Sequence, residues 1–281
     1  MIDHQYLEQF IDHAFREDIG DGDHTSFSCI PPLQQGRARL LVKEEGVLAG
    51  VEIAERIFHR LDPALTVKVF LRDGVEVKPG DIAFTVEGNV ISILQCERLA
   101  LNLMQHMSGI ATQTRRYVKE LAGTSTQLLD TRKTTPGMRL LDKEAVRIGG
   151  GRNHRIGLFD MILIKDNHID FAGGIEKAID RVCEYLHAHG KKLKIEIEAR
   201  SIDDIERILR HNKINRIMLD NFNTETTAQA VKIIGGRYET ESSGNITLAN
   251  IREYALCGVD FISVGALTHH VKSLDMSLKA F

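Results

Sequence analysis

Cysteine is scarce in this 281-residue chain. Cys29, Cys96, Cys183 and Cys257 are scattered with no CxxC pair, which excludes a disulfide scaffold and a zinc ribbon. They read as free thiols in a reducing cytoplasm. Long apolar runs are missing too: MILI at 161–164 is typical of the longest, far short of the ~20 residues of a membrane helix. The start, MIDHQYLEQF, has no basic region followed by an apolar core, so no signal peptide is expected and a cytoplasmic location is. No charge of one sign dominates, because the formal net charge is only -3. That balance argues against a nucleic-acid surface. No GxGxxG follows the first strand pattern, and GGG at 149–151 does not match the phosphate loop GxxxxGK[ST]. The twelve histidines are dispersed, and neither His187/His189 nor His269-His270 has a second ligand cluster beside it.

What is present is ordinary in bulk and unusual in one place. Apolar content of 43% and charged content of 27% fit a globular protein, and the length fits one large or two unequal domains. Between Asp130 and His168, however, lie Arg132, Lys133, Arg139, Lys143, Arg147, Arg152, Arg155 and Lys165, with His154 and His168. A cationic island in a slightly acidic chain suggests a pocket for a small, highly charged anion. Arg139, Lys143 and Arg147 recur at four-residue steps, which is also the pattern of a solvated helix face.

The texture changes along the chain. Tyr6/Leu7, Phe10/Ile11 and Ala14/Phe15 recur at helical spacing, and EDIGDGDHTS (17–26) stops that helix and ends in a capping-type Thr-Ser. From Gly36 to Val90, short apolar runs separated by the turn pairs DG (73–74) and PG (79–80) predict a small antiparallel sheet. Within it, VEVKPGDIAFTVEG looks like a biotinyl-type hairpin without the lysine-bearing MKM turn, so a carrier role is not expected. Residues 91–107 have helical spacing, with Glu97 and Arg98 on the polar side, and Ser108-Gly109 marks a change. Beyond it, TQLLDT (126–131), MILIK (161–165), KIEIE (194–198), RIMLD (216–220), RYETES (237–242) and DFISVG (260–265) alternate with helical patterns. Six such units predict a (β/α) barrel, complete or open.

Barrel enzymes carry their chemistry at the carboxyl ends of the strands. Those positions hold Arg132-Lys133, Lys165 to His168, Glu198, Asp220-Asn221, Ser243-Gly244 and Gly265. In LKIEIE, alternation puts Glu196 and Glu198 on one face, into the barrel, where they need partners; Lys165, Lys133 and Arg132 are the expected ones. For Glu196 alone a structural ion network is the stronger expectation. Arginine binds phosphate and carboxylate bidentately, lysine acts as a point charge, and glycine-loop amides can cradle a phosphate. Glu198 and Asp220 suit hydrated Mg²⁺ or sugar hydroxyls. Phosphoribosyl pyrophosphate with an acidic acceptor would satisfy the set.

ERLALNLMQHMSGIAT (97–112), LDTRKTTPGMR (129–139), GGGRNHRIGLFDMILIKDNHI (149–169), IEIE (195–198), MLDN (218–221), ESSGNI (241–246) and ISVGALTH (262–269) together resemble the quinolinate phosphoribosyltransferases. EDIGDGDHTS (17–26) fits the same family's N-terminal signature, so the resemblance covers nearly the whole chain. It implies transfer of phosphoribosyl to quinolinate with decarboxylation, Mg²⁺ as cofactor, and nicotinate mononucleotide, pyrophosphate and CO₂ as products in NAD biosynthesis. It implies an α/β N-terminal domain over 1–108, to which the tail 271–281 returns, and a barrel-like catalytic domain over 109–270. It also implies a homodimer in which Arg98 reaches the partner's site. By motif, Arg132, His154, Arg155 and Lys165 would hold the quinolinate carboxylates, Lys133 the phosphates, Glu198 and Asp220 the ribose hydroxyls and Mg²⁺, and Ser243, Gly244 and Gly265 the 5′-phosphate. Lys133, Lys165, Glu198 and Asp220 would carry the catalysis.

The chain departs from the family pattern at Asn245, in SSGN where SGG is common, and at His270, in THH where THS is common. Asn tolerates positive φ, so the loop is expected to survive. The acidic pair and T-G-[GK]-T loop of ordinary phosphoribosyltransferases are absent; Asp203-Asp204 sits at a helix start instead. Two other readings remain: a Schiff-base barrel lyase using Lys165, and an anion-binding, transport-associated relative of the same fold.

Overall fold

In the computed structural model, residues 4–281 are described. They form two units: one comprises the residues up to Arg115, Leu140–Gly150 and His270–Phe281, and the other Arg116–Arg139 and Gly151–His269. Leu140–Gly150, which lies inside the span 109–270, thus clusters with the first unit.

The first unit begins with helices α1 (His4–Ile19) and α2 (His24–Cys29), then strands β1 (Gln35–Val42) and β2 (Gly46–Val47). Helix α3 (Val51–Leu61), strands β3 (Thr66–Val69), β4 (Glu76–Val77) and β5 (Ile82–Asn89), and helix α4 (Val90–Glu120) follow. The second unit holds β6 (Gln127–Leu129), and α5 (Arg139–Gly149) lies almost wholly in the first. Then come β7 (Ile162–Ile164), α6 (Asp166–Ala172), α7 (Ile175–Ala188), β8 (Ile195–Ala199), α8 (Ile202–Ile208) and β9 (Arg216–Asp220). The chain ends with α9 (Thr224–Ile234), β10 (Glu239–Ser243), α10 (Ile251–Leu256), β11 (Phe261–Ser263), α11 (Ala266–His269) and β12 (Met276–Ala280).

The first unit is built on an antiparallel sheet of order β12-β1-β5-β3. β12 pairs with β1, Ala280 opposite Ala38 and Met276 opposite Val42. Alternation along β1 buries Ala38, Leu40 and Val42 and leaves Arg37 and Arg39 outside. Three local readings change. The cap after the first helix is Asp23, whose side chain accepts from the Ser26 amide, while Thr25 and Ser26 lie inside α2. The expected hairpin does not form: β4 pairs with β2, and β5 with β1 and β3. The turn between β4 and β5 closes locally, with the Asp81 amide on the Lys78 carbonyl, and is tied to β1 by the Gly80 amide on the Val42 carbonyl. Ser108-Gly109 does not end the helix either. Ser108 Oγ bonds to both the amide and the carbonyl of Ala49, and a Cβ on Gly109 would lie 2.3 Å from the Lys272 carbonyl oxygen. The small residues there allow close packing inside a continuous helix.

All six strand runs of the second unit form a parallel sheet of order β6-β11-β10-β9-β8-β7. β8 alternates Ile195 and Ile197 with Glu196 and Glu198, yet every one of its residues is buried, as expected of a strand covered on both faces. Arg152 adds one parallel bridge to Leu129 beside β6. The sheet is flanked by α6 to α11, giving the expected α/β class, with an antiparallel sheet in the first unit and a parallel βα sheet in the second.

Candidate active site

The parallel strands align their carboxyl ends, and the chain turns there with specific caps. Lys165 is the N-cap of α6; its amide donates to His168 Nδ1 at 2.9 Å. Lys165 Nζ lies 2.6 Å from Glu198 Oε1, and the Asp166 amide donates to Glu198 Oε2 at 3.0 Å. Glu198 is thus buried but satisfied by an expected cation and a helix-start amide. Asp220 ends β9, one strand away. Burial, then the charge of Glu198, pushes its carboxyl above the usual range. Two carboxylates therefore sit close enough to repel at one strand-end rim.

Glu196 takes different partners from those expected. His154 Nε2 lies 3.0 Å from Glu196 and 3.3 Å from Glu241, and Arg216 Nη1 lies 3.9 Å and 3.0 Å from the same two carboxylates. The reason is register: Glu196 is opposite Arg216 across β8 and β9, deeper in the sheet than Glu198. His154 has its other nitrogen engaged as well, since the Arg155 amide donates to Nδ1 at 2.7 Å. Burial opposes a charged ring, but the hydrogen bonds to Glu196 and Glu241 outweigh it and carry His154 up to about 9. A second ring proton would turn against the Arg155 amide hydrogen, so the backbone contact favours the neutral Nε2–H form. Burial, then the charge of Glu241, raises Glu196 to about 7.

The cationic segment divides. Asp142 and Lys143 are buried in the first unit, where Asp142 meets His106 at 2.8 Å; Arg147 is exposed and paired with Glu144. These belong to α5, not to one pocket with the rest. Arg132 and Arg155 do come together. Burial, then the charge of Arg132, lowers the Arg155 guanidinium from its usual value. Arg132 Nε is buried with no hydrogen-bond partner in the protein. Arg155 Nη1 reaches the Met161 carbonyl at 3.3 Å. Lys133 is exposed and crosses Gly265, where an added Cβ would lie 3.0 Å from Lys133 Cδ; the Lys133 carbonyl accepts from Thr268 Oγ1 at 2.8 Å.

The loop after β10 is left-handed at Gly244 (φ 93°) and Asn245 (φ 54°), and Asn221 after β9 matches it (φ 57°). Asn245 takes the positive φ expected of it. A Cβ on Gly244 would lie 2.2 Å from Asn221 Oδ1, so this position requires glycine. Ser243 ends β10 beside them. Arg98 lies exposed on α4 in the first unit, and His270 is exposed at the start of that unit's last segment. Sequence reasoning missed Glu241 and Asp130 as partners of His154, and Arg216 as the partner of Glu196 and Glu241. The alternation of Glu239 and Glu241 in ETESS was the available signal.

A parallel α/β sheet whose strand ends gather arginines, lysines, two acids and glycine turns defines a phosphate- and carboxylate-handling transferase class. The comparisons give the family. Residues 110–279 match the model "Quinolinate phosphoribosyl transferase, C-terminal domain", and residues 23–108 match its N-terminal counterpart. This chain belongs to the quinolinate phosphoribosyltransferase family. It is 44% identical to quinolinate phosphoribosyltransferase [decarboxylating] 2 of Nicotiana glauca, over 97% of this chain and 82% of that one. It is 41% identical to a probable nicotinate-nucleotide pyrophosphorylase [carboxylating] of Synechocystis, over 97% and 92%. The solved nicotinate-nucleotide pyrophosphorylase of Francisella tularensis superposes with a TM-score of 0.93 at 39% identity, covering 100% of this chain and 98% of that one.

Proposed function

We propose that this enzyme transfers the phosphoribosyl group of phosphoribosyl pyrophosphate to quinolinate, releasing pyrophosphate and CO₂ and forming nicotinate mononucleotide. One observation carries the reading at this site: Arg132 and Arg155 lie close enough to repel, and the buried Arg132 Nε has no protein partner. A dicarboxylate relieves both costs, because guanidinium forks match carboxylates bidentately. Lys165, held by Glu198, adds a point charge at the same rim. His154 orients Arg155 by accepting its amide.

Lys133, which lies over Gly265, would meet the phosphates, and the turns at Ser243-Gly244 and Gly265 would offer backbone amides to the 5′-phosphate. Glu198 and Asp220 face the ribose hydroxyls. They are hard oxygen donors on neighbouring strands, and their mutual repulsion is the charge that a divalent cation offsets, so this pair fits Mg²⁺, bound directly or through water. Bound there, Mg²⁺ would supply charge stabilisation to the departing pyrophosphate. Lys133 would assist the same departure electrostatically. The pyridine nitrogen then bonds to the anomeric carbon as the pyrophosphate oxygen leaves with its electron pair. The bond between C2 of the pyridinium and its carboxylate then breaks: CO₂ departs, the electron pair stays on C2 beside the positive nitrogen, and a proton from solvent completes the C2–H bond of nicotinate mononucleotide. Orientation and electrostatics supply the catalysis, with no covalent enzyme intermediate.

The Schiff-base alternative loses its footing at Lys165, whose ammonium is paired with a carboxylate 2.6 Å away. A nucleophilic lysine needs a desolvated amine instead. We place the enzyme as a homodimer in the cytoplasm, with Arg98 completing the partner's site. The free thiols and the exposed apolar side chains of Leu158 and Phe159 support that placement. No described helix is long and apolar enough to cross a membrane. Arg132→Ala tests the function: quinolinate binding by calorimetry is expected to vanish while the circular dichroism spectrum is unchanged. Wild-type affinity in that variant would overturn the assignment.

A further inference from the structure

We infer that Glu196, Glu241 and Arg216 are positioning residues for the acceptor subsite, acting through His154 on Arg155. This inference rests on the proposed reaction and names how one of its subsites is built. Below the strand-end rim, Arg216 is opposite Glu196 on one side and Glu239 on the other, and Glu241 is opposite Phe261. The set therefore spans the four adjacent strands β8, β9, β10 and β11. Arg216 is held from several directions: Nη1 bonds Glu241 at 3.0 Å, Nη2 bonds Glu239 at 3.1 Å, and the guanidinium lies 3.9 Å from the Phe261 ring centroid. It fixes the carboxylates, and they fix His154 Nε2 between them.

The constraint then passes outward along the chain. The His154 amide donates to buried Asp130 at 2.8 Å, and the His154 ring accepts from the Arg155 amide. The residues on either side are pinned as well. The Arg152 amide donates to the Leu128 carbonyl at 2.8 Å, and the Ile156 and Gly157 amides donate to Asp160 at 2.8 Å and 2.9 Å. Arg155 is left with a fixed backbone and a side chain beside Arg132. Left to itself, a cation beside another cation swings away toward solvent. Holding it in place requires a rigid mount, and the buried network is that mount. Glu196, Glu241 and His154 could also be taken for a metal cluster, but the Arg216 guanidinium already bonds the Glu241 carboxylate. Buried ion networks add little net stability over well-packed apolar groups in many proteins, so stability alone does not account for this one.

The test is steady-state kinetics of the full-length enzyme with Glu241→Gln, His154→Ala and the double variant. Glu241→Gln is expected to raise KM for quinolinate about tenfold, the change that one lost charged hydrogen bond makes at ~1.4 kcal/mol. KM for phosphoribosyl pyrophosphate should stay unchanged. The double variant should bind quinolinate no more weakly than His154→Ala alone, because Glu241 acts through that ring. An unchanged quinolinate KM in Glu241→Gln, an equal rise for both substrates, or additive losses in the double variant would overturn the inference while leaving the reaction intact. A wild-type enzyme that makes no nicotinate mononucleotide refutes the reaction and the inference together. Should Glu241→Gln fail to fold, ¹⁵N NMR of the wild-type His154 ring decides. The Nε2–H form is expected to persist when quinolinate binds, and loss of that form would overturn the inference.

Discussion

At the scale of single residues, environment separates groups that look alike in the sequence. Burial, then the charge of Asp62, pushes the Cys96 thiol up to about 12, whereas Cys29 is exposed. Iodoacetamide at neutral pH is therefore expected to modify Cys29 and leave Cys96 untouched in the native protein, as read by peptide mass mapping. Labelling of Cys96 at a comparable rate would contradict its placement. Glu176 is the acidic counterpart: a side-chain bond from Arg207 on α8 holds its carboxyl down to about 2, against 4.5 for the free group. A depressed folded-state pKa means that this contribution is fully present above pH 4.5 and is lost as pH falls through about 2. Both groups are partly exposed, so the effect is small. Arg207→Gln should return the Glu176 titration, followed by NMR, toward the ordinary carboxylate range. A midpoint that stays near 2 would show that Arg207 is not the cause.

At the scale of elements, most parallel strands were legible as short apolar runs, and from Glu198 onward they recur at the length of one βα unit, which also carried the polar run of β10. Glu196 and Glu198 were legible as inward-facing by alternation alone. Their separate partners were not. That depends on depth along the strand, which the β8–β9 register sets. Helix α3 went unread because Val51–Leu61 lies among turn-rich strands, and its amphipathic face packs Val51, Ile53, Ala54, Ile57 and Phe58 into a core contributed by distant segments. β4 and β5 looked like one hairpin because local sequence cannot reveal that β2 takes β4. Helix α4 illustrates the same limit, since Ser108 and Gly109 look like a boundary until their long-range partners are known. Gly109→Ala should destabilise the fold by roughly 1–3 kcal/mol through overpacking against the Lys272 carbonyl. Urea denaturation measures it, and a neutral or stabilising change would contradict that close approach.

At the scale of the whole molecule, the proposed site gathers residues from the ends of all six parallel strands, and the family match runs along nearly the entire chain. The acceptor site in the resemblance borrows Arg98 from a second copy, and this yields a prediction that no single-residue effect can imitate. Arg98→Ala and Arg132→Ala should each be inactive alone. After mixing under conditions of subunit exchange, activity should partly return, because hybrid dimers regain one intact site. If the mixture stays as inactive as its components while exchange is verified by native mass spectrometry, the shared site is wrong.

The most direct measurement uses the purified enzyme with phosphoribosyl pyrophosphate, Mg²⁺ and quinolinate labelled in the carboxylate next to the ring nitrogen. Labelled CO₂ and pyrophosphate should appear in equal amounts, together with nicotinate mononucleotide. Pyrophosphate without labelled CO₂, or release of neither, would contradict the account.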